Sequence, residues 1–245
     1  MKKILYFHGY NGSPHGQRYG LLTSAGYRVE APELPFARGR AKELSRGLLN
    51  PAAWGSVLGL GQAIEQAYEC LESNQPDVIV ATSLGGAVAL CLCKPEIPLV
   101  LLAPVWNARV NHGELIKISY GRHRDSQVAQ VSSLGGASIL GGLLSLQGWP
   151  DISSCHAPLL VLHDAQDEVV PIAQTERLIA GYGRPQGGWP ALFLDTLHRE
   201  LDQPSSQVSG CQITIHENQG PHHPIHGPAT QKCLLRVLEV LARAN

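Results

Sequence analysis

The sequence predicts an α/β fold: a three-layer αβα sandwich built on a mostly parallel sheet of about six strands. Two patterns predict it. Short apolar runs recur along the chain, at Lys3–Phe7, Tyr27–Ala31, Val78–Thr82, Pro98–Leu102, Pro158–His163 and Gln212–His216. Between several of them lie segments whose apolar residues return every three or four positions, the period of a helix with one buried face. Runs that are apolar throughout suit strands covered on both sides, and intervening helices supply the crossovers that parallel neighbours need. At 245 residues the chain can bury a core without staples, so residues 1–245 read as a single domain.

The elements follow in order. The first strand, Lys3–Phe7, ends at His8-Gly9. Gln17–Ala25 reads as a helix that stops at Gly26. The second strand closes at Pro32 and Pro35, and residues 36–51 read as a loop with a short helix. Trp54–Leu71 has helical periodicity, and Leu234–Ala242 forms the closing amphipathic helix. Two segments break the alternation. Residues 107–152 are longer than one crossover requires and read as a lid insertion. Residues 181–210, rich in Gly, Pro and Ser, read as an irregular insertion.

Composition excludes several classes. A formal net charge of −1 gives no basic face for nucleic acid. No apolar run is long enough to span a bilayer. The start, Met1-Lys-Lys-Ile-Leu-Tyr-Phe-His8, is too short in apolar residues for a secretory signal, which predicts a cytoplasmic protein. Six cysteines form no Cys-x-x-Cys pair, and most sit among apolar residues, so they read as buried thiols and not as metal ligands or bridges.

The most informative stretch is Asp77-Val-Ile-Val-Ala-Thr-Ser-Leu-Gly-Gly-Ala-Val-Ala-Leu90. An apolar strand stops at Ser83, two glycines follow, and good helix formers resume. This pattern resembles the nucleophile elbow of the alpha/beta-hydrolase superfamily, normally G-x-S-x-G, with Ala81 in place of the first glycine. A serine hydroxyl is a weak nucleophile and needs a base and oxyanion donors. At a strand-to-helix turn the Leu84 amide has no partner inside the helix and can serve as one donor. A near-copy, Ser132-Ser-Leu-Gly-Gly-Ala137, follows the stretch Asp125–Val131, too polar for a buried strand, so Ser133 is assigned to the insertion.

The segment His8-Gly-Tyr-Asn-Gly-Ser-Pro14 resembles the His-Gly-Phe-x-Ser-Ser-Pro loop of small bacterial serine esterases. The resemblance implies that the Tyr10 amide is the second oxyanion donor, with Gly9 allowing close approach. Leu160-Val-Leu-His-Asp-Ala-Gln-Asp-Glu-Val-Val-Pro171 is a strand running into an acidic loop, and the family pattern implies Asp167 as the acid. The base should follow the last strand. In Gly220-Pro-His-His-Pro-Ile-His226, the family spacing implies His223, with His222 as the runner-up. Pro221 and Pro224 disfavour a helix presenting two imidazoles to a metal, so no metal and no cofactor are expected.

The order Ser83, Asp167, His223 is nucleophile, acid, base, as the superfamily has it. The implied reaction is acyl transfer from a carboxylic ester or thioester of a small-molecule substrate. Trp106 and Trp149 border the 107–152 insertion, which carries Ile139-Leu-Gly-Gly-Leu-Leu-Ser-Leu146, and are candidate substrate-binding residues for a small apolar or aromatic acyl group. The same leucines could equally pack on the sheet. Two other classes stay open on sequence: a non-hydrolytic enzyme of this fold (acyltransferase, cyclase or carbon–carbon lyase), and a binding protein on the same scaffold.

Overall fold

The computed structural model describes residues 2–10, 12–36, 60–106, 150–167, 170–182, 201, 206–209, 212–215 and 227–244. Their strands form one seven-stranded sheet: β1 (Lys3–Phe7), β2 (Arg28–Glu30), β3 (Val78–Thr82), β4 (Leu99–Leu102), β5 (Leu159–Asp164), β6 (Ser206–Ser209) and β7 (Gln212–Ile215). The spatial order is β2-β1-β3-β4-β5-β7-β6. Every pair is parallel except β6 against β7. Six parallel strands match the expected architecture, and the antiparallel β6 is an addition.

The helices are α1 (Gln17–Ser24), α2 (Leu60–Asn74), α3 (Gly85–Cys91), α4 (Ile172–Gly181) and α5 (Pro228–Ala244), with a short 3₁₀ turn at Ile152–Ser154. The buried residues of α2 are Leu60, Ala63, Ala67 and Leu71, which is the three- and four-residue spacing that predicted a helix there. Residues 54–59, the start of that expected helix, lie outside the described residues. The closing helix begins at Pro228, six residues before the expected Leu234. Proline suits a first helical position because its missing N–H would lack an intrahelical partner anyway. β3, β4 and β5 are buried along their whole length, so both faces of the central sheet are covered.

Connectivity positions the site. From β1 the chain goes outward to β2, then crosses back to β3 on the other side of β1. The carboxyl ends of β1 and β3 therefore flank a point where the winding reverses, the usual place for a ligand crevice in an open α/β sheet. His8-Gly9 leaves β1 there, and Ser83 leaves β3.

The cysteine reading needs correction. Cys93 and Cys155 form a disulfide, with Cα atoms 5.7 Å apart. Cys93 follows α3 and Cys155 precedes β5, so the bridge ties the chain after the elbow helix to the entrance of β5. The Tyr182 hydroxyl at the end of α4 lies 3.0 Å from Cys155 Sγ and donates to the Ala157 carbonyl at 3.0 Å. Cys70, Cys91 and Cys233 are thiols in no disulfide, as expected. Burial pushes Cys91 up to about 11 and Cys233 up to about 12, so neither carries reactive thiolate at neutral pH.

Candidate active site

Ser83 has a positive φ of 51°, the left-handed region that side chains other than glycine seldom adopt. Flanking contacts hold it. Its N–H donates to the Leu102 carbonyl at 3.0 Å, and its own carbonyl accepts from Gly86 N–H and Val105 N–H, each at 2.9 Å. The strand thus continues its ladder up to Ser83, and the next peptide already belongs to the helix. Room for this turn comes from glycines. A Cβ on Gly85 would lie 2.5 Å from the Phe7 carbonyl oxygen, and one on Gly86 would lie 2.7 Å from Pro104 Cβ. Larger side chains at either place would push the elbow off β1 or off the chain after β4.

The chain leaving β1 passes close to this serine at Gly9. A Cβ on Gly9 would lie 2.9 Å from Ser83 Cβ, 3.2 Å from the Thr82 carbonyl oxygen and 3.5 Å from Ser83 Oγ. Only a glycine permits so close an approach. The turn is closed by Gly12 N–H donating to the Gly9 carbonyl at 3.0 Å. Tyr10 and Leu84 follow Gly9 and Ser83 directly, and among the described residues neither of their amides donates to a protein acceptor. His8 itself is buried, and its ring is held by backbone and by Phe36. Its Nδ1–H donates to the Gly9 carbonyl at 2.8 Å, its Nε2 accepts from Leu34 N–H at 3.3 Å, and its ring meets Phe36 edge to face. Burial lowers its pKa, against smaller upward effects of the Gly9 carbonyl and Glu33.

Asp167 lies in the loop after β5 with its side chain fully buried. Its Oδ1 accepts from Val170 N–H at 2.9 Å. Asp164 shapes the same loop by accepting from Gln166 N–H at 2.7 Å, and Ala165 N–H donates to the Ile215 carbonyl at 2.9 Å. That last bond joins the acid loop to the end of β7. β7 therefore ends at Ile215 beside Asp167's loop, and residues 216–226 are the sequence segment between β7 and α5. His223, His222 and His226 are in that segment and lie outside the described residues, as do Ser133 and Trp149.

The sequence reading missed His163. This histidine, the fifth residue of β5, is buried and braces the acid loop. Its Nε2–H donates to the Val170 carbonyl at 2.8 Å, Thr175 Oγ1 meets its Nδ1 at 2.6 Å, and Asp167 Oδ2 is 3.8 Å from Nε2. The available signal was a polar residue ending an otherwise apolar strand. Trp106 is buried, and its indole N–H donates to the Gln174 carbonyl at 2.9 Å. It clamps the chain after β4 to the first turn of α4. Among the described residues no group of three His, Cys, Asp or Glu side chains is arranged to hold a metal ion. Nor is any helix among them long and apolar enough to cross a membrane.

No protein-family model matches the chain, and no curated protein matches its sequence. Solved structures do match it. One, from Xanthomonas campestris pv. campestris and described as a hydrolase of the alpha/beta superfamily, is 14% identical, with 99% of this chain and 98% of that one covered and a TM-score of 0.53. An alpha/beta-hydrolase enzyme from a sediment metagenome of the Mar Chica lagoon, Morocco, is 15% identical, with coverage of 100% and 92% and a TM-score of 0.53. A protein from Acinetobacter baumannii described as a lipase is 14% identical, with coverage of 99% and 85% and a TM-score of 0.56. The chain resembles each over nearly its whole length, and it has the alpha/beta-hydrolase fold.

Proposed function

We propose that this protein is a serine hydrolase that cleaves a carboxylic ester or thioester through an acyl-enzyme on Ser83. The observation that carries the reading is the approach of Gly9 to Ser83. Gly9 directly precedes Tyr10, and Leu84 directly follows Ser83, a serine held at a positive φ, so this approach supports a site in which both amides face the serine oxygen. Two amides converging near one serine oxygen are what a tetrahedral oxyanion needs.

In this reading His223 takes the Ser83 proton as Oγ adds to the carbonyl carbon. The tetrahedral oxygen rests on the Tyr10 and Leu84 amides. His223 then protonates the departing alkoxide or thiolate, and later draws a proton from the water that cleaves the acyl-enzyme. Asp167 fixes the imidazole tautomer and stabilises its charged form. Support comes from the buried carboxylate of Asp167 and from the bond that sets its loop beside the end of β7. In the same reading Trp106 and Trp149 wall the acyl pocket, the 107–152 insertion covers it, and the preferred acyl group is small and apolar or aromatic. The protein acts in the cytoplasm, with no cofactor.

The test is turnover of p-nitrophenyl esters of graded chain length, with mapping of the peptide labelled by a fluorophosphonate. The expected results are a label on Ser83, a preference for short or aromatic acyl groups, and a loss of at least about a thousandfold in kcat for Ser83→Ala at an unchanged Tm. Undiminished turnover by Ser83→Ala overturns the proposal, and a label mapped to Ser133 would move the nucleophile.

A further inference from the structure

Arg18 stands in the first turn of α1, the helix that follows the loop passing close to Ser83 at Gly9. It is 2% exposed, and it is the bulkiest of the fully buried side chains. Among the described residues none of its three guanidinium nitrogens has a hydrogen-bond partner. Burial pulls the group down to about 10, opposed by the Tyr6 hydroxyl, so it keeps its charge at neutral pH. A buried, unpaired cation is among the costliest things a fold can carry.

Nothing among the described residues neutralises it. The buried acids Asp164 and Asp167 are at the end of β5, separated from β1 by β3 and β4. What Arg18 does have nearby is the strand pair that delivers the nucleophile. Tyr6, on β1, is within its electrostatic reach, and the Tyr6 hydroxyl accepts from Thr82 Oγ1 at 3.3 Å. Thr82 is the residue before Ser83. A charge with no counter-ion among the described residues therefore lies within reach of the tyrosine that bonds the residue before Ser83.

We infer that Arg18 is a positioning residue for that reaction, whose unneutralised charge favours the oxyanion that forms above Ser83. The inference rests on the hydrolase reading. Arg18 touches no reacting atom in it. It acts through its field, which a buried, low-dielectric surround leaves little screened. A charge kept for this purpose has an unusual signature. Exchanging a buried unpaired ion for an apolar side chain of similar length leaves stability unchanged or raises it. The same exchange should cost rate.

The experiment compares wild type with Arg18→Met and Arg18→Lys. Readouts are Tm, kcat and KM on the best ester, and the inhibition constant of phenylboronic acid. In that inhibitor's adduct Ser83 Oγ bonds to boron, the base takes the hydroxyl proton, and boron becomes tetrahedral and negative. For Arg18→Met the expected result is a Tm equal to or above wild type. With it should come a kcat lower by about tenfold, boronate binding weakened by about the same factor, and KM unchanged. Arg18→Lys, which keeps the charge, should recover most of both losses. An unchanged kcat in Arg18→Met, a fall in its Tm, or no recovery in Arg18→Lys overturns the inference while wild-type turnover still supports the hydrolase reading. Wild-type protein that neither turns over esters nor takes a fluorophosphonate overturns both.

Discussion

At the scale of single residues, much of the site is made of side chains that are absent or neutral. Gly9, Gly85 and Gly86 act by leaving space, so that the loop after β1, the end of β1 and the chain after β4 can close on Ser83. The serine in turn holds a backbone conformation that costs on the order of 1–3 kcal/mol. His8 fixes the loop in its uncharged form. Both ring nitrogens are committed, one as donor to Gly9 and one as acceptor from Leu34 N–H, so a second proton would break the Leu34 bond. Its pKa is lowered in the fold, mainly by burial. The unfolded chain therefore binds a proton more readily than the folded one. His8's contribution to stability is fully present above about pH 6.5, the ordinary histidine value, and is lost as pH falls from there toward the folded-state pKa. Urea midpoints measured from pH 7.5 to 5 should decline less steeply for His8→Asn than for wild type, and parallel declines would show that His8 does not titrate this way. Ser83 and Gly9 were legible in the sequence because elbow and loop motifs are local. Arg18 and His163 were not, because nothing local tells a surface arginine from a buried one or an isolated histidine from a brace.

Elements were legible where burial imposes a period. β3, β4 and β5 read as apolar runs because helices cover both faces, and α2 read as a helix from its one buried stripe. β6 escaped because Ser206-Gln-Val-Ser209 is polar and pairs on one side only, at the sheet edge. The Cys93–Cys155 bridge escaped for a related reason. Partners 62 positions apart carry no local mark, and their meeting depends on α3 and β5 already being placed. Such a bridge is expected to be kept in an oxidising compartment more readily than in a reducing one, so it bears on the proposed cytoplasmic setting. It closes a long loop, and its loss should cost about 2–4 kcal/mol. Cys93→Ala with Cys155→Ala should lower the urea midpoint accordingly, and treatment with dithiothreitol should lower that of wild type but leave the double variant's unchanged. Thiol titration under denaturing, non-reducing conditions that finds all six cysteines free would remove the bridge from the protein as purified.

Across the whole molecule, stability and chemistry occupy different places. The parallel sheet and its helices were legible as a class because alternation of strand and helix leaves few other architectures. The same order offers a place for the candidate site, since His8-Gly9 and Ser83 flank the reversal between β1 and β3. Residues 36–51, 107–152 and 181–210 follow no such period in the sequence, and the substrate is correspondingly the least legible feature. A division of labour follows for the parts that are legible. Leu101 lies in the middle of β4, wholly buried and paired with β3 and β5. Leu101→Ala leaves a cavity there and should cost about 2–5 kcal/mol in urea unfolding. If the proposed activity holds, the folded protein should keep its kcat, because no loop at the carboxyl rim moves. Gly9→Ala is the converse. Its new methyl would crowd Ser83 Cβ and the Thr82 carbonyl, so the loop must lift and take the Tyr10 amide with it. That misplacement should lower kcat by about a hundredfold with little change in Tm. Initial rates scaled to the folded fraction, measured beside urea curves for both variants, separate the two effects. Proportionate loss of rate and stability in both variants would mean that the rim and the sheet interior are one mechanical unit.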